Sequence, residues 1–565
     1  METLVFDIEG NGLNELTIKK YSGIPEATRV WCAVCYNVDT KEITKYREED
    51  MRELCNRLSK ARLIIGHNII HYDLPLLRRL YGTFKANVYD TLLVSRLMWP
   101  DKPMLPNKSH SLKSWGILLG DNKQDYTGGF DEYSEEMLDY CVQDTVVTAK
   151  IYEYQKEFAA ASRKSIKMET KVAEIVAAQI ENGFCFDLKT AEQLEADLLM
   201  FKVETEDNMR EIFPDIIEER WSEKTGKRLK DKLTVFNPGS RQQIAERLSI
   251  KYGWKYPTTE KGNPKVDRTV LAKLKYPEAQ ILTKYFDNTK LMSQVSDWII
   301  RARSTRDGKI HGSLNTLGAV TGRMTANNPN MQQVSGNPKA RSLFIPRPGW
   351  VLMGSDLAGL ELRMLAHYLH KYDGGTYSDY ILNGDVHTHN QTAMGLDSRN
   401  LAKSAIYCFL YGGGDTKFGE VVGTSAAQAK RTKKQLLDNI PGLRKVIEDC
   451  KFNSHASGHV RPFDWREIPV RSEHAALNTL LQSSGAHIAK LWCCYVDVEL
   501  NKLYPNQWAW VANIHDEIQI ECSPDIAHDL GKIVCGCATK AGEFFKCKIR
   551  IDADYKVGNN WSETH

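Results

Sequence analysis

The segment Arg399-Asn-Leu-Ala-Lys-Ser-Ala-Ile-Tyr-Cys-Phe-Leu-Tyr-Gly-Gly-Gly414 predicts a helix with one unusual face. Its cations and aromatic rings recur every four residues and therefore share that face: Arg399, Lys403, Tyr407 and Tyr411. A charged helix face is usually only solvated, and an aromatic stripe usually packs in a core, but neither explanation covers a face that carries both. Two cations can hold a triphosphate while the rings contact a base and a sugar. The glycine triplet then ends the helix.

Two aspartates stand at the ends of strand-like runs on either side of this helix. Val351–Ser355 is an apolar run that leads into Asp356. Further along, Trp510–Ile514 and Ile518–Ile520 flank a short polar tip, which predicts a β-hairpin that presents Asp516. Either aspartate alone is more often an ordinary turn residue. The helix between them is what gives the pair a candidate role in chemistry.

The strand-like run Leu4-Val-Phe6 leads into a second acidic group, Asp7-Ile-Glu9. Strand alternation points Asp7 and Glu9 the same way while Ile8 enters the core. Two adjacent like charges cost free energy unless a cation neutralises them, so a metal site is the natural explanation. Surface strands also carry such pairs without function, and this motif alone is a weak signal.

Two later segments add acidic residues. Gly66-His-Asn-Ile-Ile-His-Tyr-Asp73 follows the strand-like run Arg62–Ile65 and places Asp73 where a helix begins. Tyr140 and Asp144 are four residues apart in a helical pattern and therefore lie on one face. That spacing alone is also typical of a partly exposed helix face.

Together, these three motifs resemble those of the DEDD exonucleases, in the subclass with a tyrosine, over about the first 155 residues. The resemblance implies hydrolysis at the 3′ end of a single strand with two metal ions about 3.5–4 Å apart. It implies a water-orienting role for Tyr140 and metal ligands at Asp7, Glu9, Asp73 and Asp144. A domain that kept this geometry but lost activity is the alternative.

A wider resemblance covers nearly the whole chain. Gly354-Ser-Asp-Leu-Ala-Gly-Leu-Glu-Leu-Arg363 is similar to motif A of the family A, or DNA polymerase I-like, polymerases. The Arg399 helix matches motif B, and Ile514-His-Asp-Glu-Ile518 matches motif C. Three further segments are similar to the family: Gly318–Arg323, Phe236–Arg241 and Ala475–Ser483. Within it, the sequence most resembles the replicative polymerases of T-seven-like bacteriophages.

The resemblance implies an α/β multidomain fold. A ribonuclease H-like DEDD exonuclease domain at residues 1–160 is followed by a right-hand polymerase domain at residues 161–565. The expected thumb covers about 165–312, the palm about 313–385 and 475–565, and the fingers about 386–474.

Roles follow from the resemblance by position. Asp356 and Asp516, with the carbonyl of Leu357, are expected to hold two Mg²⁺ ions, for which Mn²⁺ can substitute. Expected contacts to the dNTP come from His387, Arg399, Lys403, Tyr407, Tyr411 and Glu361, and expected contacts to the primer-template come from Arg323, Gln482 and His515. Among them, Glu361 is the expected steric gate against a ribose 2′-hydroxyl, the alternative being an ordinary solvated glutamate. Tyr407 is expected to let the site accept dideoxynucleotides.

The implied function is DNA-templated extension of a primer with dNTPs, coupled to 3′→5′ proofreading, in the replication of a phage genome. A repair polymerase is one alternative, and an exonuclease fused to a non-synthetic nucleic-acid-binding module is another. RNA synthesis is disfavoured by Glu361 and by the exonuclease motifs. A replicative helicase-primase is an expected partner.

One segment departs from the T-seven-like pattern. Those polymerases carry a long thumb insertion that recruits thioredoxin, whereas here a short charged loop, Trp221–Val235, precedes Phe236. We therefore expect no thioredoxin partner. Its cations either contact duplex phosphates or are simply solvated: Lys224, Lys227, Arg228, Lys230 and Lys232.

Composition adds limits. The 565 residues exceed a single core, and a net charge of +3 leaves bulk electrostatics uninformative about nucleic acid. The chain has no secretory leader pattern and no apolar run of the ~18–20 residues that a membrane span needs. Of the 13 cysteines, Cys32 and Cys35 form a lone CxxC that we expect to pack in a core, and a reducing cytoplasm fits.

Overall fold

The computed structural model describes residues 1–11, 27–101, 103–121, 126–259, 261–464 and 466–565. They form two compact units: the first contains residues 1–184, 311–333 and 345–565, and the second contains residues 185–310 and 334–344. The helix Arg163–Asn182 belongs to the first unit, although the expected thumb begins near residue 165. In the described part of the chain, no helix is both long and apolar enough to cross a lipid bilayer.

A five-stranded mixed sheet organises the N-terminal part of the first unit. Its central strand, Thr3–Gly10, pairs antiparallel with Val30–Asn37 and parallel with Leu63–Gly66. Every residue of the central strand except Asp7 is buried, because helices cover the sheet. In spatial order the strands are Ile43–Arg47, Val30–Asn37, Thr3–Gly10, Leu63–Gly66 and Val88–Asp90. The helices of this part are Met51–Lys60, Asp73–Tyr81, Thr91–Met98, Leu112–Leu118 and Glu135–Ala161, and the next helix, Arg163–Asn182, packs mainly on the C-terminal part of the unit.

A four-stranded antiparallel sheet lies in the C-terminal part of the first unit, in the order Trp508–Ile514, Glu517–Cys522, Val351–Leu357 and Ala553–Gly558. The first two strands are joined by His515 and Asp516, which confirms the predicted hairpin; we call it the aspartate hairpin. His515 has a φ of +60°, and such two-residue turns with positive φ match the twist of paired strands.

Helices surround this sheet. The helix Ala476–Leu503 is buried on most of its surface, as expected for the centre of a large core, and its Trp492 is fully buried. Two short strand pairs, Ser313–Asn315 with Thr325–Asn327 and His459–Val460 with Ile468–Pro469, complete this part. The helices are Leu360–Asp373, Thr376–Leu382, Val386–Met394, Arg399–Leu410, Asp415–Val422, Ala426–Asn439, Leu443–Ser457, Ala476–Leu503 and Ala527–Phe544.

The second unit is mainly helical. Its two longest helices, Leu188–Ile212 and Pro277–Ser304, pack along each other. A separate core contains Phe213, Phe236 and Leu282. The remaining elements are the helices Arg241–Tyr252, Arg268–Leu271 and Pro338–Arg341 and the strands Cys185–Phe186, Ile216–Trp221 and Arg228–Thr234. The unit ends at Phe344, within the two-residue strand Phe344–Ile345.

The prediction of a loop at Trp221–Val235 is wrong, because about half of this segment lies in a β-hairpin: Trp221 ends its first strand and Arg228–Thr234 forms its second. Ile216–Trp221 pairs antiparallel with Arg228–Thr234, and Gly226 in the connecting turn has a φ of +61°. Neither strand has a buried face, so the alternation that reveals most strands is missing. Cross-strand pairs stabilise the hairpin instead: Ile217 lies opposite Leu233, and Glu218 lies opposite Lys232.

Candidate active sites

Asp356 and Asp516 lie at the same edge of the four-stranded sheet. Asp356 is the penultimate residue of Val351–Leu357 and pairs in register with Glu517. The backbone N–H of Leu357 donates a hydrogen bond of 3.0 Å to the carbonyl oxygen of Asp516. The strand and the hairpin turn therefore bring together two acidic residues that are far apart in the sequence.

The carboxylates at this edge repel one another. Burial, and then the charges of Asp516, Glu517, Glu361 and Asp554, raise the pKa of Asp356 to about 7. Burial and then the charge of Glu361 raise the pKa of Asp516 to about 6. A divalent cation between the two aspartates would remove this repulsion, so the donor set fits a metal site.

Glu361 is held differently from the two aspartates. It lies in the first turn of Leu360–Asp373, where Arg323 donates a hydrogen bond of 2.7 Å and the Tyr411 hydroxyl one of 2.9 Å to Glu361 Oε1. Burial raises the pKa of Glu361, but the charge and hydrogen bond of Arg323 and the bond from Tyr411 bring it below its ordinary value. Glu361 is therefore a fixed, charged group rather than a solvated helix glutamate.

The helix that the sequence predicted covers Arg399–Leu410 and is capped by Ser398, whose Oγ accepts from the N–H of Leu401. Tyr411 follows the last helical turn, and its ring centroid lies 6.3 Å from that of Tyr407 in a stacked arrangement. Burial, and then the charges of Glu361 and the two aspartates, raise the pKa of Tyr407 to about 12. The aromatic end of the helix therefore lies within the field of the acidic edge.

The three candidate phosphate-binding residues lie near one another. His387 is in Val386–Met394, and burial and then the charges of Arg399 and Lys403 lower its pKa. Its Nδ1 is buried and has no hydrogen-bond partner within the described residues. Lys403 is exposed, whereas Arg399 is paired with Asp385, its Nε and Nη2 donating bonds of 2.6 and 3.1 Å.

The three candidate primer-template residues are only partly brought together. Arg323, His515 and Asp516 line one small pocket beside the helix Ala476–Leu503. Gln482 lies half-buried on that helix and is not among the residues that line the pocket.

A second acidic group lies at the carboxyl end of the central strand of the five-stranded sheet. Asp7 and Glu9 have carboxylate oxygens within 4.8 Å of each other and of the Cys141 sulfur. Asp73 is the first residue of Asp73–Tyr81 and accepts a hydrogen bond from the backbone N–H of Ile8. The end of the central strand and the start of the helix Asp73–Tyr81 therefore lie close together, as the sequence predicted.

The helix Glu135–Ala161 carries Tyr140 and Asp144 one turn apart and packs on the central strand. Asp144 is buried and Tyr140 is half-buried. Burial and then the charge of Asp90 raise the pKa of Asp73 to about 7, although bonds from backbone N–H groups oppose this. Asp73 Oδ1 is buried without a hydrogen-bond partner among the described residues, which fits a donor that completes its bonding with a cation.

Sequence reasoning missed three residues that support these sites. Asp90 is buried and accepts from the backbone N–H groups of Asn68, Ile70, Leu92 and Leu93, which fixes the loop before Asp73. An aspartate ahead of the Thr91–Met98 helix is a capping signal that could have revealed it. Cys141 and Glu517 gave no comparable signal, because their roles depend on contacts distant in sequence.

Fold and geometry together define an enzyme with two acidic centres in its first unit, one of them facing cationic and aromatic side chains. The family model of DNA polymerase family A matches residues 211–563. The chain belongs to DNA polymerase family A and is a DNA-directed DNA polymerase, which confirms the resemblance.

Individual relatives agree with this assignment. The chain is 32% identical, over an alignment of 720 positions that spans all of both proteins, to the DNA-directed DNA polymerases of Enterobacteria phage T3 and Escherichia phage T7. It is 23% identical to DNA polymerase I of Aquifex aeolicus, over 93% of this chain and 92% of that one. A solved polymerase domain of Pol1 from M. smegmatis, in complex with DNA primer-template and dNTP, has the same fold: TM-score 0.80, 19% identity, 99% of this chain and 96% of that one.

Proposed function

We propose that this polymerase extends a primer 3′ end at Asp356 and Asp516 and removes mismatched 3′ ends at the acidic group around Asp7. The observation that carries the synthetic half is the hydrogen bond between Leu357 N–H and the Asp516 carbonyl, together with the raised pKa values of both aspartates. Family A polymerases are metal-dependent, and this edge of the sheet concentrates negative charge where cations are needed.

We propose Mg²⁺ as the cation at both centres, with Mn²⁺ able to substitute. Asp356, Asp516 and the carbonyl of Leu357 would hold it at the synthetic site. The ions would make the primer 3′-hydroxyl a better nucleophile and stabilise the charge that develops on the triphosphate.

The incoming dNTP would lie along the Arg399–Leu410 helix. Lys403 and Arg399 are both exposed, which leaves both able to contact phosphate oxygens. Arg399 would exchange one or both of its bonds to Asp385 for the triphosphate, and His387 Nδ1 would gain the partner that it lacks among described residues. Bidentate guanidinium contacts suit phosphate oxygens well.

The fixed Glu361 group would select the sugar, and the side chains around it would contact the base and the primer end. Because Arg323 and Tyr411 hold Glu361 from two sides, its carboxylate cannot move aside cheaply for a 2′-hydroxyl. We propose that Tyr411 stacks near the templating base and that Tyr407 contacts the sugar. Arg323, His515 and Gln482 would contact the primer end in the minor groove, where acceptors look alike for every correct pair.

For editing, we propose that a ribonuclease H-like domain at about residues 1–160 hydrolyses single-stranded 3′ ends. Asp7, Glu9, Asp73 and Asp144 would hold the cations, and Tyr140 would orient the attacking water. The buried Asp73 Oδ1 and the closeness of Asp7 to Glu9 support this assignment.

The biological setting is proposed from the relatives. We propose that the protein replicates a phage genome in the host cytoplasm, acting on primer-template DNA with a helicase-primase and without thioredoxin. All 13 cysteines are free thiols, which fits a reducing compartment. In right-hand terms, the second unit would form most of the thumb, and residues of the first unit would form palm and fingers.

Separate variants distinguish the two activities. Asp516→Asn is expected to lower the rate of primer extension by about 1,000-fold or more, because charge stabilisation by the cation supplies several kcal/mol. The same variant is expected to degrade single-stranded DNA at the normal rate. Asp7→Ala is expected to do the reverse. Full extension by Asp516→Asn would refute the synthetic site, and unchanged degradation by Asp7→Ala would refute the editing site.

A further inference from the structure

A thiol lies inside the acidic group proposed for editing. Cys141 is fully buried in Glu135–Ala161, and its Sγ donates to the carbonyl oxygen of Asp7 at 3.4 Å and to Asp7 Oδ2 at 3.7 Å. One ligand atom from each of Asp7, Glu9 and Cys141 lies within 4.8 Å of the others. Ligands bound to one ion at about 2.0–2.3 Å are at most about 4.6 Å apart, so only small adjustments would bring all three to one cation.

A second observation points to a cation at this place. Asp73 is 3% exposed, and its Oδ1 has no hydrogen-bond partner within the described residues. The same carboxylate accepts from the N–H of Ile8, the residue between Asp7 and Glu9, so it lies beside the strand that carries both acids. A buried carboxylate oxygen without a partner is costly, and a cation would compensate it.

We propose that Cys141 is a metal ligand and that, with Asp7 and Glu9, it forms a site for a thiophilic divalent cation of the Zn²⁺ class. Oxygen ligands alone suit Mg²⁺, whereas an added thiolate shifts the preference towards Zn²⁺ or Co²⁺. On binding, the sulfur–metal bond forms as the thiol proton leaves to solvent, and no oxidant or reductant is needed. This site shares the carboxylates of Asp7 and Glu9 with the proposed editing function. Only the consequence of Zn²⁺ binding, which is competition with Mg²⁺ during editing, rests on that proposed function.

Co²⁺ is the probe, because thiolate–cobalt bonds give a charge-transfer absorption in the near ultraviolet that oxygen ligands do not. The full chain is titrated with Co²⁺ alone, and Cys141→Ser is compared with the matched control Cys55→Ser. Cys55, in the helix Met51–Lys60, is a buried thiol whose pKa is raised to about 11 by burial. Circular dichroism of each variant checks the fold.

The wild type and Cys55→Ser are expected to show the band, and Cys141→Ser is expected to lose it. Its Co²⁺ affinity is expected to fall at least about tenfold, since even lost outer partners of a metal site cost that much. A wild type without the band, or a band unchanged in Cys141→Ser, would overturn the proposal. A wild type that shows the band but does not degrade single-stranded DNA with Mg²⁺ would refute the editing function and leave the thiolate site standing.

Discussion

At the scale of single residues, the acidic side chains of the synthetic site differ in what surrounds them. Asp356 and Asp516 have raised pKa values because they are buried beside other carboxylates. Glu361, in the same cluster, stays charged because Arg323 and Tyr411 bond to it. The sequence predicted all three residues, but only the structure separates the two aspartates, which repel each other, from Glu361, whose negative charge is compensated by Arg323.

The raised pKa values give a pH-dependent stability. An aspartate in the unfolded chain has a pKa of about 4, whereas that of folded Asp356 is about 7. Between these two pH values, folded Asp356 retains a proton that the unfolded chain has lost. The contribution of Asp356 to the free energy of unfolding therefore falls as pH rises through this window. A cation that binds the ionised pair reverses the loss. Mg²⁺ is therefore expected to raise Tm more at about pH 8 than at about pH 5.5. Thermal melts check this, and Asp356→Asn should shrink the Mg²⁺ effect; an equal effect in both proteins would contradict it.

Tyr407 offers a test of sugar discrimination. The resemblance predicts that its hydroxyl lets the site accept dideoxynucleotides, and the structure places the ring near Glu361 and both aspartates. Tyr407→Phe is expected to reduce dideoxynucleotide acceptance, relative to dNTP, by about 10- to 100-fold, the worth of one hydrogen bond to a charged group. Competition assays measure the ratio. Tyr411→Phe, which loses a hydroxyl that bonds Glu361, is the control, and an unchanged ratio in Tyr407→Phe would count against the prediction.

At the scale of elements, prediction succeeded where a strand or helix had one buried face. The strand before Asp356 and the aspartate hairpin are as predicted, because their apolar runs enter a core. The Arg399 helix is confirmed as well, with Tyr411 just beyond its end. The hairpin at 216–234 was missed because its apolar side chains are exposed, with Ile217 at 66%, so no burial pattern marks it.

The aspartate hairpin has an anchor that the sequence did not reveal. Glu517, next to Asp516, is buried; its Oε1 accepts from Trp561 Nε1 at 2.7 Å and from Gln519 Nε2 at 2.8 Å, and its Oε2 lies 2.8 Å from His565 Nδ1. Both carboxylate oxygens of Glu517 therefore already have partners within the protein. Glu517 acts on the hairpin's position rather than as a further cation ligand.

Trp561→Phe tests this anchor. Losing one donor to a buried carboxylate is expected to lower stability by about 1–3 kcal/mol. Because the hairpin carries Asp516, kcat for primer extension should fall while KM for dNTP and the exonuclease rate stay unchanged. Steady-state kinetics and denaturant unfolding measure both effects. Trp508→Phe, at the far end of the same hairpin, is the matched control, and equal kcat loss in both variants would contradict the anchoring role.

At the scale of the whole molecule, motif order was predictable and unit boundaries were not. The helix Arg163–Asn182 joins the C-terminal core because Glu169 is buried and receives bonds from Lys490 and Arg466. Gln179 similarly accepts from Asn513. Partners more than 290 positions away decide this packing, and local periodicity contains no information about them.

The second unit carries the hairpin at 216–234, and its ion pairs divide the five cations of the Trp221–Val235 segment into two groups. Lys232 pairs with Glu218 at 3.0 Å, and Arg228 pairs with Glu219 and Asp231. Within the described residues, no carboxylate pairs with the other three, Lys224, Lys227 and Lys230. Unpaired lysines are the ones that release counterions fully when they contact phosphate.

The salt dependence of primer-template binding tests which group contacts DNA. If Lys224, Lys227 and Lys230 each contact one phosphate, replacing all three with Ala should reduce the magnitude of the slope of log K against log salt by about 2–3, near 0.9 for each contact on duplex DNA. Replacing Arg228 and Lys232 instead should change the slope less, because their charges are already compensated by carboxylates. Fluorescence anisotropy across a salt series measures both, with an exonuclease-deficient Asp7→Ala background to protect the primer. An unchanged slope in the triple variant would mean that this hairpin is a solvated surface without a DNA contact.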